Sequence, residues 1–145
     1  MAKKRTPAVP GWFTLDAAHP ALLGTRCKAC GTVFFPREEA FCRSPLCQGT
    51  EFEELELSRR GRLWSYTNNA YQPPAPYVPR TDPYQPFAIA AVELERERMV
   101  VLGQVVPGVS VADLEVGIAM ELVLDTLSED EENEYLVYKW KPAAA

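Results

Sequence analysis

From residue 52 onward, apolar and polar side chains alternate in short runs, the period of a half-buried β-strand. Phe52, Leu55 and Leu57 precede the polar turn Ser58-Arg59-Arg60-Gly61. Beyond it Arg62-Leu63-Trp64-Ser65-Tyr66-Thr67 alternates, which predicts a hairpin. Phe87–Leu94 and Met99–Val106 form a second pair of strands about the charged turn Glu95-Arg96-Glu97-Arg98, and the chain then turns at Pro107-Gly108. A short helix is predicted over Ser110–Leu114, a strand over Ala119–Leu127, and a last strand over Tyr135–Trp140 after an acidic loop. Five main strands with one helical excursion match a small Greek-key barrel of the OB type. A split sandwich fits slightly less well, because five strands make a thin pair of sheets.

Upstream the period changes. Residues 1–10 read as a flexible arm, and Gly11–Leu23 carries Trp12, Phe13, Leu15, Ala17, Ala18, Ala21, Leu22 and Leu23 at helical spacing, limited by Pro20. This predicts a short amphipathic helix anchored by Trp12 and Phe13, either on its own domain or on a partner. A strand into Cys27, a knuckle through Gly31, a returning strand Thr32-Val33-Phe34-Phe35 and a turn at Pro36 then lead to a second cysteine pair. The expected organisation is mainly β: an N-terminal arm and helix over 1–22, a zinc ribbon over 23–50 and a five-stranded OB-fold barrel over 51–145.

One long segment breaks the strand pattern. From Tyr71 to Pro86 six prolines are interspersed with Tyr71, Tyr77 and Tyr84. Proline restricts the unfolded backbone, so such a loop can stay semi-rigid and hold its aromatics in place. The tyrosines either contact a partner or ligand, or seal the end of the barrel.

The chemistry-bearing residues are few. Cys27-x2-Cys30 and Cys42-x4-Cys47 are the cysteines of the chain, and the eleven residues between the pairs allow a strand and return. Four thiolates from two knuckles fill a tetrahedral Zn²⁺ and leave no position open to activate water, so the site is structural. The same ligands could hold one iron as in rubredoxin, although the x4 loop is wider than the usual knuckle. His19 precedes Pro20 and has no thiol or clear acidic partner in sequence; no glycine-rich phosphate loop and no carboxylate pair about a pocket is evident. No catalytic residue is assigned.

Composition narrows the class. With 145 residues, 47% hydrophobic and 24% charged, the chain is globular, and a ribbon of about 40 residues needs a metal to compensate for its small core. No apolar run is long enough to span a membrane, and the basic N-terminus lacks the apolar stretch of a secretory signal. A cytoplasmic location is expected, in keeping with cysteines held as metal thiolates. The net charge of −5 disfavours nucleic-acid binding, although an OB-fold binding single-stranded nucleic acid stays open as an alternative function.

Taken together, Leu23-Gly24-Thr25-Arg26-Cys27-Lys28-Ala29-Cys30-Gly31-Thr32-Val33-Phe34-Phe35-Pro36, the strand Gly61-Arg62-Leu63-Trp64-Ser65-Tyr66-Thr67 and the five-strand C-terminal part resemble the DUF35 family over almost the whole chain. That resemblance implies a rubredoxin-like zinc ribbon joined to an OB-fold, acting as the non-catalytic companion of a thiolase-superfamily large subunit that works on acyl-CoA. Within the family, the companions of lipid-transfer-protein-like thiolases are the most similar: those of steroid side-chain retro-aldolases and of benzoylsuccinyl-CoA thiolase. A hetero-oligomer such as a heterotetramer is implied. Candidate partner contacts are Trp12, Phe13, Phe34, Phe35, Tyr71, Tyr77 and Tyr84. Candidate contacts to the CoA phosphates are Arg62, Arg80, Lys139 and Lys141.

Overall fold

A computed structural model describes residues 2–143. Those residues form nine strands and one turn of 3₁₀ helix. β1 (Lys4–Pro7) precedes a ribbon made of β2 (Leu23–Cys27), β3 (Val33–Phe34) and β4 (Phe52–Glu56). The barrel follows, with β5 (Arg60–Asn69), β6 (Phe87–Leu94), β7 (Val100–Gln104), β8 (Ala119–Glu129) and β9 (Asn133–Pro142).

The barrel strands pair as β5–β6–β7 on one side and β5–β8–β9 on the other, all antiparallel. A parallel bridge between Val105 and Trp140 closes the ring, with the Val106 N–H donating to the Trp140 carbonyl at 3.0 Å. This is a closed OB-fold rather than a split sandwich. Alternate residues point inward, so Leu63, Ala90, Val92, Leu94, Val101, Met120, Leu122, Leu136 and Trp140 form the buried core. The expected helical excursion is the 3₁₀ turn Val111–Asp113. Ser110 and Asp113 cap it reciprocally, each accepting from the other's end of the turn.

Three expectations are corrected. No N-terminal helix forms over Gly11–Leu23. Phe13 bridges Leu22, Thr14 N–H donates to Ala21 O at 2.9 Å, and Leu23 N–H donates to Trp12 O at 2.8 Å, so the segment doubles back as an irregular hairpin. Asp16 turns it, accepting from the Ala18 and His19 amides, a local competitor to helix hydrogen bonding. The N-terminal arm is not free either: β1 lies parallel to β9, with Lys4 opposite Asn133 and Pro7 opposite Leu136.

Third, β4 does not form a hairpin with β5. It runs antiparallel to β2, Leu23 opposite Glu56 and Cys27 opposite Phe52, so the ribbon sheet extends past residue 50. Leu57 and Ser58 then carry the chain into the barrel, with Leu57 N–H bonded to Leu22 O at 2.9 Å. Aromatic rings pack the two parts together. Phe35 meets Trp12 at 5.4 Å and Tyr138 of β9 at 6.1 Å, edge to face, and Phe13 meets the same tyrosine at 6.2 Å.

Candidate metal centre

The ribbon brings its four cysteines to one point. Cys27 ends β2, and its carbonyl accepts from Gly31 N–H at 2.8 Å, which folds the first knuckle tightly back. Gly31 has φ +80°, a left-handed conformation that costs a side-chain-bearing residue energy, so glycine suits this turn. In the second knuckle Cys42 N–H donates to Gly49 O at 2.8 Å and Cys47 N–H to Ser44 O at 3.0 Å, and Lys28 N–H reaches across to Glu51 O at 2.9 Å. Buried Thr25 holds the connection between the knuckles: its hydroxyl donates to Glu38 O and accepts from Glu38 N–H, both at 2.9 Å.

The Sγ atoms of Cys27, Cys30, Cys42 and Cys47 all lie within 4.8 Å of one another, with 3.8 Å from Cys27 to Cys47 and 3.6 Å from Cys30 to Cys42. A tetrahedron of sulfurs about zinc at roughly 2.3 Å has edges of about 3.8 Å, so the cluster fits the ion. The x4 loop delivers Cys47 despite its extra length. Gly49 sits where a Cβ would meet Cys27 Sγ at 2.8 Å, and its N–H points to Cys47 Sγ at 3.4 Å. The backbone thus approaches the sulfurs closely and offers them a weak donor.

Proton affinities within the cluster are uneven. The Thr32 hydroxyl, 3.1 Å from Cys30 Sγ, and the Thr32 amide hold the Cys30 thiol down at about 6. At Cys42 the Ser44 amide favours the thiolate, but burial and the neighbouring sulfurs outweigh it and push the thiol up to about 12. Cys47 is raised as well; the Gly49 amide opposes the shift, and burial with neighbouring Cys30 and Cys27 prevails. Crowded sulfurs resist joint ionisation, and a divalent cation relieves that repulsion. Bound zinc supplies folding energy and cross-links the two knuckles.

The sequence profile of the ChsH2 rubredoxin-like zinc ribbon domain matches residues 16–53, and that of the ChsH2 C-terminal OB-fold domain matches residues 54–125. The chain belongs to the ChsH2-type DUF35 family. A DUF35 domain-containing scaffold protein of Methanocaldococcus jannaschii is 36% identical, over 83% of this chain and 79% of that protein. The benzoylsuccinyl-CoA thiolase subunit BbsA of Thauera aromatica is 31% identical, over 87% and 79%. A solved Ltp2-ChsH2(DUF35) aldolase aligns with TM-score 0.60 and 28% identity, over 86% of each chain. The four-cysteine cofactor site of this DUF35 chain is therefore a structural zinc site within a zinc ribbon.

The other candidate residues scatter. Arg80 and Lys139 converge on Asp125, whose Oδ2 lies 3.4 Å from the Arg80 Nη1 and 2.8 Å from the Lys139 Nζ. Lys139 is 1% exposed: its strand neighbours Tyr138 and Trp140 pack on the core cluster, and the proline-rich loop contributes to the cavity over the opposite face. A lysine placed there has no free approach to a phosphate at the surface. Burial lowers the Lys139 ammonium from its ordinary range, and the Asp125 carboxylate partly restores it. For Asp125, burial works upward but is outweighed by the Lys139 hydrogen bond, the Thr126 amide and the charges of Lys139 and Arg80, so its carboxyl lies below the usual range. Lys141 pairs instead with Glu121 at 3.1 Å, and Arg62 donates to Gly117 O at 3.0 Å, so the four cations do not form one site.

The aromatic candidates divide too. Phe13 is buried within this chain. Trp12, Phe34 and Phe35 are half-buried, Phe34 against Phe52 at 6.2 Å. In the proline-rich loop Tyr71 is 86% exposed, whereas the Tyr84 hydroxyl donates to Asn69 O at 2.7 Å and accepts from Asn69 Nδ2 at 2.8 Å. Tyr77 lines a cavity under the loop. Sequence reasoning missed Asp125 and Gly49. An acid within the apolar strand Leu122–Leu127, and a glycine two residues after the last cysteine, are the signals that mark them.

No helix among the described residues is long and apolar enough to cross a membrane. His19 lies on an exposed turn with Nδ1 3.6 Å from Asp16 Oδ2.

Proposed function

We propose that this DUF35 chain is the non-catalytic zinc-carrying subunit of a cytoplasmic thiolase-like complex that cleaves or forms a carbon–carbon bond in an acyl-CoA. Thiolytic and retro-aldol cleavage both belong to that class. The observation that carries the reading is the closed four-thiolate site: the chain's reactive sulfurs are drawn into a fold-stabilising cluster with no position for a substrate. The likeness to the Thauera aromatica protein, a thiolase subunit, and to the Ltp2-ChsH2 aldolase supports a large thiolase-family partner and a hetero-oligomer.

In this reading Tyr71, with the exposed edges of Trp12 and Phe34, contributes to the surface that meets the large subunit. Arg62, Arg80 and Lys141 reach solvent and are the cations available to help close an acyl-CoA channel; buried Lys139 supports Arg80 through Asp125. The test is copurification with a thiolase-like partner followed by assay of each chain alone and of the mixture on an acyl-CoA. Activity is expected only where the large chain is present, with the mixture most active. Turnover by the zinc-loaded small chain alone would overturn the reading.

A further inference from the structure

A cavity of about 370 Å³ opens between the proline-rich loop and the barrel. Tyr77 and Tyr84 come from the loop, Phe87 from the start of β6, Val105 from just after β7, and Arg80 and Lys139 supply its charged side. Its size lies at the lower end of the range that small-molecule sites occupy, and its walls are mostly apolar and aromatic with a few polar groups, the usual make-up of such sites.

Charge decides what it would take. Among the described residues, no carboxylate lines the cavity. Behind it, Asp125 is shared between two cations through a single oxygen, with the lysine closer at 2.8 Å and the arginine at 3.4 Å. One carboxylate cannot neutralise both, so the cluster carries an excess positive charge beside an apolar chamber. The neighbouring acid Glu129, on the far side of Arg80, is bound to Lys3 at 2.6 Å. Lys139 is sealed, but the Arg80 side chain is 42% exposed and presents a planar guanidinium toward solvent. Guanidinium forks match carboxylates, and a half-desolvated one is a stronger anchor than a fully hydrated ammonium.

We propose that this cavity is a binding site for a small monocarboxylate with an apolar or aromatic body, its carboxylate held by Arg80 and its body placed between Tyr77, Tyr84 and Phe87. Lys139 acts as a positioning residue. It holds Asp125 at 2.8 Å, and Asp125 in turn anchors Arg80 at 3.4 Å. The cavity is lined by residues of this chain, and although Arg80 also figures in the subunit reading, binding of a small acid can be tested without a partner.

The probe is phenylacetate, titrated into the zinc-loaded full-length chain and followed by NMR shifts of the tyrosine and phenylalanine ring signals. Phenylacetamide, the neutral analogue of the same shape, and the variant Arg80→Leu provide the contrasts. Because Arg80 is exposed, Arg80→Leu is expected to keep the fold, and Arg59→Leu, at another exposed arginine outside the cavity, controls for general loss of surface charge. The expected result is saturable binding at millimolar affinity or better. Shifts should centre on Tyr77, Tyr84 and Phe87, weaken about tenfold or more in Arg80→Leu and for the amide, and stay unchanged in Arg59→Leu. Three results would each overturn the proposal: no saturation up to about 10 mM, equal binding of the amide, or indifference to Arg80→Leu.

Discussion

Ser58 gives both of its hydrogens to one residue, Glu97: the amide lies 2.9 Å from Oε2 and the hydroxyl 2.5 Å from Oε1. Ser58 is buried where the ribbon passes into the barrel, and Glu97 sits in the turn between β6 and β7, so one carboxylate fastens the junction to a distant hairpin. Arg96 completes the node, its amide and Nε donating to the Ser58 hydroxyl at 3.2 and 3.0 Å. Replacing Glu97 by Ala leaves a buried amide and hydroxyl without their acceptor. A loss of about 1–3 kcal/mol is expected. Thermal denaturation of the zinc-loaded chain should show it as a drop of about 3–10 °C. An unchanged midpoint would mean that water replaces the carboxylate at no cost.

Gly49→Ala tests the packing around the metal. The new methyl would sit 2.8 Å from Cys27 Sγ, closer than carbon and sulfur tolerate, and the second knuckle must move to admit it. Zinc affinity should fall by about tenfold or more, in the range found for changes just outside a metal's ligands. Competition with a coloured chelator measures this directly. Cys27→Ser should lose the ion altogether and unfold the ribbon, visible as collapse of the ribbon amide dispersion in NMR spectra. A Cys27→Ser chain that keeps stoichiometric zinc would contradict the assigned ligand set.

The ring cluster between ribbon and barrel yields a third prediction. Phe35→Ala removes two edge-to-face contacts, to Trp12 and to Tyr138. At about 0.5–1.5 kcal/mol for each pair beyond the area buried, the expected loss is at least about 1–3 kcal/mol. Tyr138→Phe retains the ring and deletes only the hydroxyl bonded to Leu102 O at 2.7 Å, so its effect should be smaller, about 0.5–1.5 kcal/mol. Urea denaturation of both variants ranks them, and an inverted order would show that the hydroxyl, not the ring stack, holds the seam.

Acid should weaken the β8–β9 turn in a defined direction. The Tyr135 hydroxyl at 2.8 Å, then the Asn133 and Glu132 amides, hold Asp130 at about 2. Its folded pKa lies below the unfolded value of about 3.9, so its contribution is complete above that value and is lost as the pH falls through about 2. The stability difference between the native chain and Asp130→Asn should be constant from pH 7 down to about 5 and shrink below about 4. A difference that shrinks instead between pH 5 and 7 would assign the effect to another group.

The barrel was legible because its strands are buried on one face, and alternation reports a face directly. Leu63, Val92, Val101, Met120, Leu122 and Trp140 all fall where the two-residue period places them. Alternation says nothing about which strand lies alongside. Phe52, Leu55 and Leu57 present the same pattern whether β4 pairs with β5 or with β2, and the pairing with β2 follows from the ribbon's need for a third strand. The cysteines were readable from spacing alone, since two knuckles define a tetrahedral site almost independently of what surrounds them.

Other features depend on contacts distant in sequence. Trp12, Phe13, Ala17, Ala21 and Leu22 fit a helical period, yet Asp16 offers its carboxylate to the amides that would begin a helix and Pro20 withholds a donor. Lys139, between Tyr138 and Trp140 in the last strand, reads from the sequence as a cation able to meet a phosphate. The proline-rich loop, more than fifty residues earlier, contributes to the cavity beside Lys139, and the burial of the lysine depends on such distant contacts.

Tyr138 touches Phe13 and Phe35 with its ring and Leu102 with its hydroxyl, joining the N-terminal hairpin, the ribbon and strand β7 at one side chain. The ion and the barrel are in consequence mechanically continuous: slackening of the knuckles is felt at the stave on which the cylinder closes. A cell short of zinc would hold a molecule whose two halves have lost their common alignment, even while every barrel strand keeps its neighbours.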